Sequence, residues 1–344
     1  MLLKNIASLV LSAALFTLSS CNWFTKPTKT ETPPTTEQKT STQPDITFPK
    51  FESDSAFSYI ETQVRFGPRV PNTKTHEACA AWLTDFVKKY ADSYYVQKFD
   101  ATAYDGTILK STNIIASVNP SAARRVLLTA HWDTRPFADQ DHSRQNEPIL
   151  GANDGASGVA VLLEILRTIR TQELENIGVD FLFLDSEDYG QPANSTNYVP
   201  DSYCLGAQHW SRSPHQTDYK ADFGILLDMV GAPGAVFTRE GTSTAYAGWV
   251  LDRVWNNAKI LGHGNYFSNQ TTDPIVDDHK YINERAKIPT IDIIHHDSNT
   301  PSGFGWYWHT HQDDIKAIDK NTLKAVGETV LYTVYEYNAS MKPL

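Results

Sequence analysis

Short polar islands carry the residues able to do chemistry in this chain. They are Ala130-His131-Trp132-Asp133-Thr134, Gly151-Ala152-Asn153-Asp154-Gly155, Leu184-Asp185-Ser186-Glu187-Asp188, Leu226-Leu227-Asp228-Met229, Val276-Asp277-Asp278-His279 and Trp306-Tyr307-Trp308-His309. Nearly every island ends an apolar run. In an open α/β sheet the strand ends converge on one crevice, so residues placed there meet in space although far apart in sequence. Carboxylates and imidazoles gathered in this way suit a divalent metal of hard to borderline character, above all zinc, which as a catalyst keeps three protein ligands and one open position.

Each island also has a plainer reading, and context decides between the two. Asn153-Asp154-Gly155 alone is an ordinary turn, yet it follows the His131 run and directly precedes a helical pattern, where backbone amides are available to steady one carboxylate oxygen. Glu187 and Asp188 are neighbours, so in extended backbone one ligates while the other faces substrate as a base. They end a Phe/Leu run that must be buried, which sets them apart from a solvated acid pair. Asp228 is a lone carboxylate in apolar sequence and requires a metal, a protonated partner or a hydrogen-bond network. His309 lies among aromatics that form a pocket wall. His295-His296-Asp297 is expected to be structural, because adjacent histidines at a strand end diverge. Asp139 to Arg144 and Gly241 to Thr244 read as solvent-facing loops.

The elements that must position these residues alternate. Asp54 to Phe66 and Thr73 to Tyr90 have helical spacing, with Ser53 or Asp54 and Asn72 or Thr73 as N-caps. Tyr94 to Phe99 and Ile108 to Val118 read as a hairpin turning at Tyr104-Asp105-Gly106. Arg125 to Ala130, Val179 to Leu184, Phe223 to Leu227 and Pro289 to Ile294 read as buried strands. Val159 to Ile169, Thr244 to Leu261 and Asn321 to Tyr337 read as helices. The expectation is an α/β fold: a doubly wound, mostly parallel central sheet with helices on both faces and an antiparallel edge.

Composition bounds the rest. Of 344 residues, 40 are acidic and 30 basic, a formal charge of −10. No basic stripe is available to displace counterions, which argues against a nucleic-acid partner. Residues 1–20 look like a secretory signal ending in a bacterial lipobox, Leu18-Ser19-Ser20-Cys21, with Cys21 lipidated. Residues 21–45 are rich in Thr and Pro and read as a flexible tether. The body, 46–344, is expected to be one domain and a monomer, held to the membrane by the lipid alone. Asn22 after the lipidated cysteine favours the outer membrane of a Gram-negative envelope, with the body facing the periplasm. Cys79 and Cys204 are expected to be free, buried thiols.

Taken in order, His131-x-Asp133, Gly151-x-Asn153-Asp154, Glu187-Asp188, Asp228 and His309 resemble the zinc-dependent aminopeptidase-like family over about residues 50 to 340. In its two-metal aminopeptidases the positions matching His131, Asp154, Asp188, Asp228 and His309 hold metals, and Glu187 matches the base. Leu226-Leu227-Asp228-Met229-Val230-Gly231-Ala232-Pro233, Asp277-Asp278-His279 and Trp308-His309 resemble its glutaminyl cyclase branch more narrowly. That resemblance implies one zinc per chain on Asp154, Asp188 and His309, with His131 nearby and held by Asp133. It further implies Glu187 as proton shuttle, Asp228 and Asp277 as catalytic partners, and Trp308, Tyr203 and Asp278 at the substrate. The implied substrates are peptides or proteins with N-terminal glutamine. Two departures stand out: the branch usually has Glu at Asp188, and its animal members have His at Asp292. The insertion 190–200 shifts the alignment that selects Tyr203. Two competing readings are a two-zinc aminopeptidase and a non-catalytic lipid-anchored binding domain.

Overall fold

A computed structural model of the chain describes residues 46–193 and 195–341. Cys21, the signal and the tether lie outside the described residues. In chain order the body runs α1 (Ser53–Phe66), α2 (Lys74–Tyr90), β1 (Ser93–Thr102), β2 (Ile108–Val118), β3 (Arg125–His131), α3 (Ala156–Ile169), β4 (Gly178–Leu184), α4 (Leu205–Arg212), β5 (Phe223–Asp228), β6 (Phe237–Glu240), α5 (Gly241–Ile260), β7 (Phe267–Thr272), α6 (Asp278–Tyr281), β8 (Thr290–Ile294) and α7 (Lys320–Ser340). The main sheet has the order β1-β2-β4-β3-β5-β8. Strands β4, β3, β5 and β8 are mutually parallel, and the β1–β2 hairpin adds the expected antiparallel edge.

The sheet separates two apolar layers by simple alternation, since successive strand side chains point to opposite faces. Leu128, Ala130, Phe181, Phe183, Ile225 and Leu227 join the core shared with α1, α2, α3, α5 and α7. Ile115, Leu127, Leu182 and Leu184 face α4 and α6 on the other side. Helix α3 buries every residue except Arg167, which pairs with the buried Glu164 one turn before it. It lies so close to the sheet that a Cβ at Gly158 would stand 2.1 Å from the Leu227 carbonyl oxygen. Among the described residues no helix is long and apolar enough to cross a membrane.

Some local expectations need correction. Thr73 caps α2 by accepting from the His76 amide, but the N-cap of α1 is Glu52, whose side chain makes no capping bond. Gly241 to Thr244 is the first turn of α5 rather than a loop in solvent. Its amides at Thr242 and Ser243 donate to Glu240, and Thr242 and Ser243 are buried. The small parallel pair β6–β7 has no counterpart in the sequence reading. Its strands are short and polar, and Phe237 and Phe267 pair their rings at 5.2 Å to anchor them.

Glu240 ties this region to the 275–279 loop by accepting from the Ile275 amide and pairing with His279 Nε2 at 3.1 Å. Burial pushes its carboxyl up, but bonds from His279 and Ser243 prevail and hold it down to about 2 against an ordinary 4.5. A depressed carboxylate contributes stability that is complete above its unfolded pKa and is lost as pH falls toward the folded one. Glu240→Gln should therefore lower stability at neutral pH, by at most about 3 kcal/mol. The difference from wild type should shrink as pH falls from about 4.5 to about 2. Paired denaturant titrations across that range check it, and a pH-independent difference would contradict it.

Candidate metal centre

The carboxyl ends of the parallel strands deliver their side chains to one place. His131 ends β3, Asp154 precedes α3, Glu187 and Asp188 follow β4, Asp228 ends β5, and His309 arrives from the loop before α7. Asp154 Oδ1 lies 3.1 Å from His131 Nε2, and its Oδ2 lies 3.8 Å from His309 Nε2. His309 Nε2 is also 3.3 Å from Asp188 Oδ1, and Asp228 Oδ1 is 3.2 Å from His131 Nε2. Asp154, Asp188 and His309 thus form one set of donors lying within 4.8 Å of one another, and His131, Asp154 and Asp228 form a second that shares Asp154.

The first set fits zinc. Bonds of about 2.0–2.2 Å in a tetrahedron place donors about 3.3 Å apart, close to the His309–Asp188 spacing. Asp188 Oδ2 is buried without a hydrogen-bond partner, as a ligand oxygen facing a cation would be. His309 Nδ1 bonds Asp139 Oδ1 at 3.1 Å, the carboxylate–histidine couple that fixes a metal ligand's tautomer and ring angle. His131 differs: its Nδ1 has no hydrogen-bond partner, and the nearest acid, Asp133, is 3.6 Å away.

Supporting contacts hold these groups in place. Asp133 instead accepts from the Glu187 and Asp188 amides at 3.0 and 3.2 Å and so orients the acid pair. The amides of Asn153 and Asp154 donate to Asp313, so backbone bonding steadies the loop through Asp313 rather than through Asp154's own carboxylate. Gly155, at φ 91°, allows that loop to close; a Cβ there would sit 2.8 Å from the Asp133 carbonyl oxygen. Buried Arg135 grips Asp139 through two nitrogens at 2.8 and 3.0 Å and reaches Asp188 Oδ1 at 3.3 Å.

Asp139 corrects the solvent-loop reading of 139–144, because its side chain is only 4% exposed. Asp139 and Arg135 were missed because Arg135, Asp139 and Asp141 sit in a polar run that looks like surface. The Arg-x-x-x-Asp spacing was the one available signal. Asp313 left no signal at all, standing 159 residues from the amide it holds.

Asp154, Asp188 and His309 line a cavity of about 810 Å³. Glu187, Asp228, Asp277, Tyr203, Trp308 and His309 all face it, together with Val276, Phe304 and the 298–303 loop. The Trp308 ring stacks on His309 with centroids 3.7 Å apart and packs against Phe304 at 4.8 Å with the rings tilted by 43°. Tyr203 lies over Arg135 and donates from its hydroxyl to the Gln191 carbonyl at 3.0 Å. Asp278, expected at the substrate, does not line the cavity. It is fully buried behind the wall, with both side-chain oxygens unpartnered. His295 is structural as expected, bonding Tyr307 at 2.8 Å, while His296 lines the cavity. Cys79 and Cys204 are free and buried.

Burial, with Asp277, Asp188 and Asp278 nearby, pushes the Glu187 carboxyl well above the usual range against the opposing effect of His131. Burial likewise raises Asp228, to about 7, although its bond to His131 opposes this. Asp154 is lower than ordinary: burial raises it, but His131 and His309 more than offset that. A carboxyl raised above its ordinary range holds a proton more readily than a solvated glutamate, as a group that accepts and returns one must.

A model of peptidase family M28 matches residues 113–334, and the chain belongs to that family. A glutaminyl-peptide cyclotransferase from Gloydius blomhoffii is 28% identical over 251 residues, covering 66% of this chain and 65% of its own. The chain therefore spans just under two thirds of that curated relative's length. Among solved structures, glutaminyl cyclase from Tannerella forsythia is 50% identical with a TM-score of 0.82, covering 83% of this chain and 99% of that one. A Zn-dependent exopeptidase from Parabacteroides distasonis is 47% identical with a TM-score of 0.82, covering 84% and 99%.

If Asp139 orients His309, Asp139→Asn should weaken zinc binding by about 10- to 100-fold. Competition with a chromogenic chelator measures this. Unchanged affinity would remove Asp139 from that role.

Proposed function

We propose that this chain is a glutaminyl-peptide cyclotransferase with one zinc per chain, converting N-terminal glutamine of peptides and proteins to pyroglutamate and releasing ammonia. The observation that carries the reading is Glu187 facing the same cavity as the Asp154–Asp188–His309 donor set, with Trp308 walling it. The 50% identity to a glutaminyl cyclase supports it. Zinc held by those three residues would supply Lewis-acid polarisation of the side-chain amide oxygen.

The residues of the chain supply the rest. The substrate's α-amine nitrogen bonds to its own side-chain carbonyl carbon, and the carbon–nitrogen bond to the amide NH₂ breaks. Glu187 takes the proton from the attacking amine and returns it to the leaving nitrogen, which departs as ammonia. Such a shuttle contributes on the order of 10²- to 10⁴-fold. Asp228 and Asp277, which line the same cavity as Glu187, accept charge-assisted hydrogen bonds from the substrate nitrogens. Trp308 presses the short side chain toward its own amine, an orientation effect. No external water attacks, so the reaction does not call for a second ion.

A two-zinc aminopeptidase is the second reading, and the His131–Asp154–Asp228 set is the observation that favours it. The unpartnered Nδ1 of His131, against the anchored Nδ1 of His309, supports one zinc instead. We further propose that Cys21 is lipidated and that the tether presents the body to the periplasm from the outer membrane.

Incubating the purified body with glutamine-initiated peptides and following mass tests the reaction. Loss of one ammonia is expected, whereas loss of a whole residue would establish the peptidase and no change would favour the non-catalytic binding domain. Glu187→Gln should retain zinc and fold while turnover falls by roughly 10²-fold or more; near-normal turnover would refute the shuttle.

A further inference from the structure

Glu187 has to present one carboxylate oxygen to the substrate in a fixed direction, and nothing in the mechanism above explains how the other is held. Ser186, directly before it, adopts a positive φ of 57°, so the backbone turns sharply as β4 ends. Asp133 holds the Glu187 amide, not its carboxylate. The side chain is met from the other wall, by the start of α4. Cys204 occupies the N-cap of that helix in the left-handed region, φ 59° and ψ 34°. Its amide donates to the Glu187 carbonyl at 2.9 Å, and the next amide, Leu205, donates to the Ser186 carbonyl at 3.0 Å. These two bonds clamp α4 onto the acid pair's backbone. They bring Cys204 Sγ to 3.2 Å from Glu187 Oε1.

We infer that Cys204 is a positioning residue for the base: its S–H donates to Glu187 Oε1 and leaves Oε2 to work on the substrate. This rests on the reading of Glu187 as proton shuttle. The thiol is fully buried and makes no disulfide, so it is shielded from the reactions that conserve or consume exposed cysteines. Burial, together with the Glu187, Asp278 and Asp277 carboxylates, pushes it well above its ordinary pKa, which keeps the proton on sulfur. A weak donor suits the position. It restrains the carboxylate's rotation through Oε1 and adds no charge of its own beside the base. The Cys204 and Leu205 amide bonds hold the left-handed backbone at Cys204. Strain of that kind persists where surrounding bonds enforce it, and here it is the conformation that aims the thiol at Glu187.

The test compares Cys204→Ala, Cys204→Val and Cys204→Ser in the full protein, reading kcat and KM for a glutamine-initiated peptide, with zinc content and Tm alongside. Ala and Val remove the donor, and Val also fills the space. Both should lower kcat by about tenfold, the scale of one hydrogen bond to a charged group, with KM and zinc content within about twofold of wild type. Serine restores a donor and should recover most of the lost kcat. Wild-type kcat in both Ala and Val would overturn the inference. So would a loss shared equally by Ser, Ala and Val in step with Tm, because that pattern marks a packing role. If the unsubstituted protein forms no pyroglutamate, the proposed reaction fails before Cys204 is tested, so the two failures are distinct.

Discussion

Asp154 and Asp188 stand side by side out of water, and the charge on Asp154 makes Asp188 harder to ionise. Asp228, Asp277 and Glu187 crowd the same buried volume, and burial raises each of them. Removing a carboxylate from water costs several kcal/mol even after relaxation unless a positive partner compensates. The described residues supply few such partners: Arg135 against Asp188, and the imidazoles of His131 and His309. A divalent cation is the simplest remaining compensation, and the orphaned Asp188 Oδ2 and the 3.3–3.8 Å donor spacings are arranged for one.

The fold provides this concentration of charge through strands that are buried on both faces and end together. Strands β3, β4 and β5 have no exposed residue; the polar groups inside them are paired, Arg125 with Asp180 and Thr129 with the Leu182 carbonyl, so the reactive carboxylates and imidazoles gather at the crevice. The chain bends sharply there. Ser186, Met229 and His309 all have positive φ, at 57°, 51° and 55°. None is glycine, so each carries a local cost that persists only where neighbouring bonds enforce the conformation. Asp133 holds the amides directly after Ser186 and Asp139 holds the His309 ring, while Asp313 fixes the Asp154 loop beside them. Reactive geometry is thus a property of supporting carboxylates as much as of the ligands.

Much of this was legible in the sequence because the signals were strong where burial was complete. The Arg125–Ala130, Val179–Leu184 and Phe223–Leu227 runs read as buried parallel strands, and the islands after them became the site. The free thiols and the structural His295 followed from similar reasoning. What escaped was determined by tertiary contact alone. Asp139 lies in a run whose other members are mostly solvent-facing, and contacts from Arg135, the Ala193 amide and the His309 loop remove it from water. Asp278 sits next to Asp277, and the helical turn at α6 sends its side chain behind the wall rather than into the cavity. Cys204 gave no hint of contact with Glu187, because an irregular insertion separates them and α4 is only eight residues long.

Zinc placement is the claim on which the chemistry turns. Diffraction from crystals of the purified protein, recorded on both sides of the zinc absorption edge, locates the ion directly. The account predicts one anomalous peak, about 2.0–2.2 Å from donor atoms of Asp154, Asp188 and His309. No peak there, or a second of equal strength between His131 and Asp228, would contradict it.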